Sequence, residues 1–282
     1  MIKHVAVALD GSAHAAAAEG LAVALTQLLG AVVHGVHVID TTFLEGAFIT
    51  DVSGAMGFEP FLNLQAQMRS TLDDVAEVIR EEFEGRCQTA RVEHAFHVER
   101  NGVANGILAA TKLADLLVMG QRGVNARFHE DMLGRATEVL LRRSLVPVVV
   151  VPAEAALSPQ RLLVAYDGSP KAVRALQHAA DLAGALQRGL TVVTIDADEA
   201  RARSRLDEAS QYLAPYPAPV HYEVRQGEAV EQEILALVTS GQFDLLFLGA
   251  HGHRRIVELV LGSTSEYLAR RSGVPVWCVT HA

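Results

Sequence analysis

Four short stretches recur, in the same order, in the two halves of this chain. Val7-Ala8-Leu9-Asp10-Gly11-Ser12 returns as Val164-Ala165-Tyr166-Asp167-Gly168-Ser169, and Val38-Ile39-Asp40 as Thr194-Ile195-Asp196. Asp115-Leu116-Leu117-Val118-Met119-Gly120 returns as Asp244-Leu245-Leu246-Phe247-Leu248-Gly249, and Arg142-Arg143-Ser144-Leu145-Val146-Pro147-Val148 as Arg270-Arg271-Ser272-Gly273-Val274-Pro275-Val276. Four ordered matches mark a duplicated domain. The expected domains are 1–152 and 160–282, joined across Val151–Arg161, which carries Pro152 and Pro159.

Each half alternates short apolar runs with longer helical patterns. Strands are expected near 2–9, 31–38, 90–98, 115–119 and 147–151, and near 161–166, 190–195, 219–225, 244–248 and 275–279. Helices are expected near 13–29, 60–84, 101–113 and 134–144, and near 170–187, 198–213, 227–240 and 263–272. Runs such as Val148-Val149-Val150-Val151 suit a sheet covered on both faces. Strand–helix alternation implies right-handed crossovers and an open parallel sheet, with ligands bound beyond the carboxyl ends of the strands at the switch point. The fold class is therefore α/β: two tandem doubly wound parallel-sheet domains. Asp10 to Gly120 spans 110 positions, whereas Asp167 to Gly249 spans 82. The excess is assigned to Thr41–Phe61, a Gly-, Phe- and Thr-rich stretch read as a surface excursion or as a lid.

Half of the 282 residues are hydrophobic and a fifth are charged, enough to bury sizeable cores. A net charge of −9 argues against non-specific nucleic-acid binding and against an anionic membrane surface. Cys87 and Cys278 lie far apart with no CxxC, as expected of ordinary thiols in a reducing compartment. With no membrane-length apolar run, the expected location is the cytoplasm.

The chemistry concentrates in one glycine signature that occurs twice. Gly249-Ala250-His251-Gly252, nine residues, then Gly262-Ser263 lies between an apolar strand and a helical stretch. Gly120-Gln121-Arg122-Gly123, ten residues, then Gly134-Arg135 is its altered copy. Glycine lets main-chain N–H groups approach a phosphate, and a helix N-terminus favours an anion. The competing reading is that these glycines only end strands and cap helices. Asp10 and Asp167 read either as ligand-contacting carboxylates or as N-caps. His251 and His253, which flank Gly252, read as exposed loop histidines or as contacts to phosphate or a metal, and Trp277 is assigned to packing. The pairs His34/His37 and His94/His97 stand on opposite strand faces, which suits joint metal ligation poorly. No GxxxxGK[ST], GxGxxG or GxSxG occurs, and no paired carboxylates or Ser/His/Asp set stands out, so binding is favoured over turnover.

On Gly249–Ser263, the two Asp-Gly-Ser turns and the Val-Pro-Val entering each last strand, the chain resembles the universal stress protein family in its tandem form. That resemblance implies a five-stranded parallel sheet per domain, ATP at the strand ends, with Mg or Mn, and pairing of the two last strands as an intramolecular pseudo-dimer. A homodimer is a further assembly it allows, with protein partners unnamed. It assigns Asp167 to the ribose or metal, the main chain near Thr194 to the adenine, and Gly249, Gly252, Gly262, Ser263 and Ser265 to the phosphates. Asp10, Val38, Gly120, Gly123 and Gly134 hold the matching places in the first half, where Arg135 either contacts phosphate or blocks it. Three functions follow as expectations: an ATP-binding stress regulator, a slow ATPase or phosphotransferase, and a nucleotide-free scaffold.

Overall fold

The computed structural model describes residues 2–41, 58–124, 132–250 and 262–281, with residues 58–65 in backbone only. The first repeat runs β1 (His4–Leu9), α1 (Ala13–Leu29), β2 (Val32–Asp40), α2 (Phe58–Ala90), β3 (Glu93–Asn101), α3 (Val103–Ala110), β4 (Leu116–Gly120), α4 (Arg135–Arg143) and β5 (Val148–Val151). The second runs β6 (Leu162–Ala165), α5 (Pro170–Leu186), β7 (Leu190–Ile195), α6 (Glu199–Leu213), β8 (Val220–Arg225), α7 (Val230–Thr239), β9 (Leu245–Gly249), α8 (Ser263–Arg271) and β10 (Val276–Val279).

All ten strands form one sheet in the order β3-β2-β1-β4-β5-β10-β9-β6-β7-β8. Neighbours are parallel throughout except at the centre, where β5 and β10 run antiparallel with Val149 opposite Trp277. The expected pseudo-dimer is therefore built inside one chain, through the valine-rich last strands. Burial explains why the seam holds: Val148, Val149, Val151, Trp277 and Cys278 are fully buried. Each buried aliphatic or aromatic side chain contributes about 1.5–3 kcal/mol. Trp277 stacks on Phe247 with centroids 5.1 Å apart, in keeping with its assignment to packing.

Two cores cover the two faces, and each runs through both repeats. Leu21, Phe83, Leu176, Leu206 and Trp277 mark the face under α1, α2, α5 and α6. Leu117, Leu140, Ile234, Leu246 and Leu268 mark the face under α3, α4, α7 and α8. In each repeat the first strand pairs with the second on one side and the fourth on the other, β1 with β2 and β4 and β6 with β7 and β9. This is the switch point, with Asp10 and Gly120 at the carboxyl ends of its strands in the first repeat and Asp167 and Gly249 in the second, where open α/β sheets bind ligands.

Two boundaries differ from the sequence expectation. The helix after β2 begins at Phe58 and is 33 residues long, against 15 for its counterpart α6, so most of the first repeat's excess length is helix and not loop. It runs through Ala90, turns at Arg91 with φ +55°, and delays β3 to Glu93. Of the excursion expected at Thr41–Phe61, positions 42–57 lie outside the described residues.

Candidate functional site

The turn after each first strand divides its labour among Asp, Gly and Ser. Gly11 and Gly168 adopt φ +77° and +78°, a left-handed conformation that favours glycine. Ser12 and Ser169, not the aspartates, are the N-caps: their hydroxyls accept from Ala15 N at 3.1 Å and Ala172 N at 3.2 Å. The aspartates brace the turn, Asp10 Oδ1 accepting from Ser12 N at 3.0 Å and Asp167 Oδ1 from Ser169 N at 2.9 Å. The second oxygen of Asp10 accepts from Val124 N at 3.0 Å, just beyond the glycine segment. A Cβ on Gly123 would stand 2.6 Å from that oxygen. The space kept open by Gly123 is thus filled by the Asp10 carboxylate.

The first glycine of each signature has a packing reason of its own. A Cβ on Gly120 would meet His14 Cβ at 2.7 Å, and one on Gly249 would meet Lys171 Cβ and Ala172 N at 2.9 Å. These glycines let the first turns of α1 and α5 close onto the ends of β4 and β9. The approach also sets the Cβ atoms of His14 and Lys171 against the ends of β4 and β9. Burial, and to a smaller extent Arg122, pushes the His14 imidazole below its usual range, with Asp10 opposing.

The two signatures share one main-chain scaffold. Gly134 N donates to Gln121 O at 3.0 Å, and Gly262 N to Ala250 O at 3.2 Å. Gln121 N and Ala250 N each donate, at 2.8 Å, to the end of the last strand of their own repeat, Val151 O and Val279 O. Gly134 is tightly enclosed, with Thr137 Oγ1 3.2 Å from a built Cβ. Thr137 Oγ1 donates to Gly120 O and Ser265 Oγ to Gly249 O, both at 3.1 Å. Ser265 is buried and its proton is committed to that carbonyl, so it braces the strand end. Ser263 and Arg135 are exposed at the first positions of α8 and α4. Both helices start from a glycine N-cap in extended conformation, Gly134 (φ −60°, ψ 139°) and Gly262 (φ −63°, ψ 140°), with no side-chain cap. Among the described residues no side chain caps either helix start, where first-turn N–H groups lack a partner within the helix. Gly252, His251 and His253 lie outside the described residues.

The sheet register moves one assignment by a residue. Val7 faces Gly35, and its repeat partner Val164 faces Val192. His37 is then the counterpart of Thr194, and Ile195 that of Val38. Side-chain chemistry agrees: His37 Nδ1 bonds Leu9 O at 2.8 Å and Thr194 Oγ1 donates to Tyr166 O at 2.9 Å, the same brace on the first strand. The position matching Val38 is Ile195, not Thr194.

Beside the second turn stands a group that sequence reading passed over. Asp196 binds Arg201 through Nε at 2.7 Å and through Nη2, and Arg205 at 2.9 Å. The Arg201 bonds, the Asp198 amide and the two guanidinium charges outweigh burial and hold its carboxyl well below the usual carboxylate range. Arg205 lies over Gly168, 3.6 Å from a built Cβ, where the first repeat sets Ile79 over Gly11. The signal was the spacing of Arg201 and Arg205 after a strand-end aspartate. Among the described residues no group of three or more His, Cys, Asp or Glu is arranged to hold a metal. A cleft of about 420 Å³, lined by Arg161, Thr191, His221 and Phe243 among others, opens at the amino ends of β6–β8, the opposite end of the sheet from the glycine turns.

Fold and site together define a tandem, doubly wound α/β protein with a glycine turn and an uncapped helix start at each switch point. The universal stress protein family model matches residues 1–152, 159–212 and 195–280, and the chain belongs to that family. It is 26% identical over 285 residues to the universal stress protein Slr1230 of Synechocystis, across 98% of this chain and 99% of that one. A universal stress protein structure from Archaeoglobus fulgidus superposes with a TM-score of 0.76 at 22% identity, over 98% of this chain and 97% of its own. A putative universal stress protein from Pseudomonas aeruginosa gives 0.64 at 16% identity, over 99% and 93%. Among the described residues no helix is long and apolar enough to cross a membrane.

Proposed function

We propose that this chain is a cytoplasmic regulator that binds ATP at the carboxyl end of the second repeat's sheet and responds to nucleotide occupancy. The observation that carries the reading is the start of α8: an extended glycine N-cap without a side-chain cap, followed by exposed Ser263, at a switch point of the sheet. Main-chain N–H groups of the first turn and the Ser263 hydroxyl supply donors to a phosphate tail, and the helix dipole favours its charge. Gly249, Gly252 and Gly262 complete the phosphate side, Asp167 meets the ribose, and the main chain at Ile195, next to Thr194, borders the base. Ser265 supports Gly249 from behind. Mg²⁺ or Mn²⁺ arrives on the phosphates, as Mg²⁺ does where protein carboxylates are few.

The first repeat, with Asp10, Val38, Gly120, Gly123 and Gly134, is the weaker site. Arg135 replaces the serine hydroxyl, which favours a nucleotide-free, structural role for this half. Denaturing the purified chain and assaying the released nucleotide tests the proposal. Adenine nucleotide carried, or taken up at millimolar ATP with Mg²⁺ or Mn²⁺, supports it; a chain that does neither removes it.

A further inference from the structure

Gln121 belongs to the first repeat's glycine segment, yet its side chain serves the second repeat. Its Nε2 donates to Ala269 O at 2.7 Å and to Arg270 O at 2.9 Å, with Ser272 O at 3.5 Å. These carbonyls lie at the carboxyl end of α8, where helix geometry leaves acceptors without partners. Gln121 is only 5% exposed, so the contact is sheltered from water. Its main chain is held by the first repeat, N to Val151 O and O from Gly134 N. One residue thus ties the first signature to the far end of the helix whose near end carries the second.

Among the described residues the arrangement is not mirrored. The counterpart of Gln121 is Ala250, buried and without a side-chain donor. After α4, the counterpart of Ser272 O is Ser144 O, which is met by Thr280 Oγ1 at 2.9 Å, a residue outside either glycine segment. Among the described residues, only α8 is tethered by the opposite repeat's signature. At nine residues it spans about 13 Å, short enough for a displacement at one end to reach the other as a rigid-body movement.

We infer that Gln121 is a positioning residue for the second repeat's nucleotide site, through which the state of the first glycine segment sets the placement of the α8 amino end. The inference rests on the nucleotide reading above. Charge at position 121 should then grade ATP affinity. A lysine keeps a donor and adds a cation that the helix C-terminus favours, alanine removes the donor, and glutamate opposes the carbonyls.

The experiment is a MgATP titration of the full chain and of Gln121→Ala, Gln121→Glu and Gln121→Lys, with nucleotide-free melting temperatures alongside. Thr280→Val serves as a control, because it removes the bonds that Thr280 Oγ1 donates to Ser144 O and Val146 O, just past the end of α4. The site followed is the one weakened by Ser263→Ala. Gln121→Ala is expected to weaken ATP roughly 3- to 30-fold, the range that coupling residues command. Glutamate should weaken it further, lysine should restore it, and Thr280→Val should lower the melting temperature without moving the affinity. If glutamate prevents folding, the alanine–lysine contrast carries the same test. Unchanged affinity across the Gln121 series, or an equal loss in Thr280→Val, overturns the inference alone. No ATP binding by the unaltered chain overturns the nucleotide reading and this inference with it.

Discussion

Gly249 at the end of β9 and Lys171 in the first turn of α5 approach so closely that a Cβ on the glycine would lie 2.9 Å from the lysine Cβ. The neighbours include the main-chain atoms Ala172 N and Lys171 C, which cannot rotate away. Gly249→Ala should therefore shift α5 and destabilise the fold by about 1–3 kcal/mol, the usual cost of overpacking. Gly120→Ala, facing His14 at 2.7 Å, should behave alike. Thermal melts without nucleotide check this, at roughly 2–4 °C per kcal/mol; unchanged melting would show that neither glycine is needed for packing.

Asp196 ties the strand-end turn to α6 through Arg201 and Arg205. Because its folded carboxyl is held below the ordinary 3.8, its stabilisation is present above that value and is lost as pH falls through the lower folded one. Asp196→Asn should be less stable than the unaltered chain at neutral pH, and the gap should narrow as pH drops below about 4. A gap that stays constant from pH 7 to pH 3 would contradict the assignment.

Cys87 and Cys278 are fully buried, and burial pushes both thiols up to about 12, with the Glu19 charge adding to the effect at Cys87. A thiolate reagent at pH 8 should label neither in the folded chain and both after denaturation. Rapid labelling of the native protein would contradict this.

Ser263→Ala removes one hydroxyl donor while leaving the α8 main chain intact. If the tail of ATP rests there, affinity should fall by about 1–3 kcal/mol, as for a hydrogen bond to a charged group, with the melting temperature of the nucleotide-free chain unchanged. Arg135→Ser restores the hydroxyl in the first repeat, and nucleotide titration should then show that site gaining affinity.

Most of the architecture was legible because the repeat and the short valine runs both carry local signals. The pairing of Val148–Val151 with Val276–Val279, for example, followed from a resemblance plus two similar strands. What escaped was set by contacts across the sheet. The shared Ile-Asp of Ile39-Asp40 and Ile195-Asp196 drew the repeat alignment one residue out of register, and only backbone pairing shows that His37 and Thr194 do the same work. Spacing within a strand separated His34 from His37, but said nothing of the row His4–His34–His97 across three strands, with ring nitrogens 3.1 and 3.3 Å apart. The Gln121 contact joins positions 148 residues apart and has no periodic signature. Helix α2 begins near its expected start at 60 but runs past its expected end at 84, through Ala90.

The central claim is that the uncapped start of α8 grips a triphosphate. Calorimetric titration of the purified, nucleotide-stripped chain with MgATP, beside Ser263→Ala, tests it most directly. The account predicts saturable binding of at least one ATP per chain that Ser263→Ala weakens. Absence of binding at millimolar MgATP, or binding that Ser263→Ala leaves untouched, would contradict it.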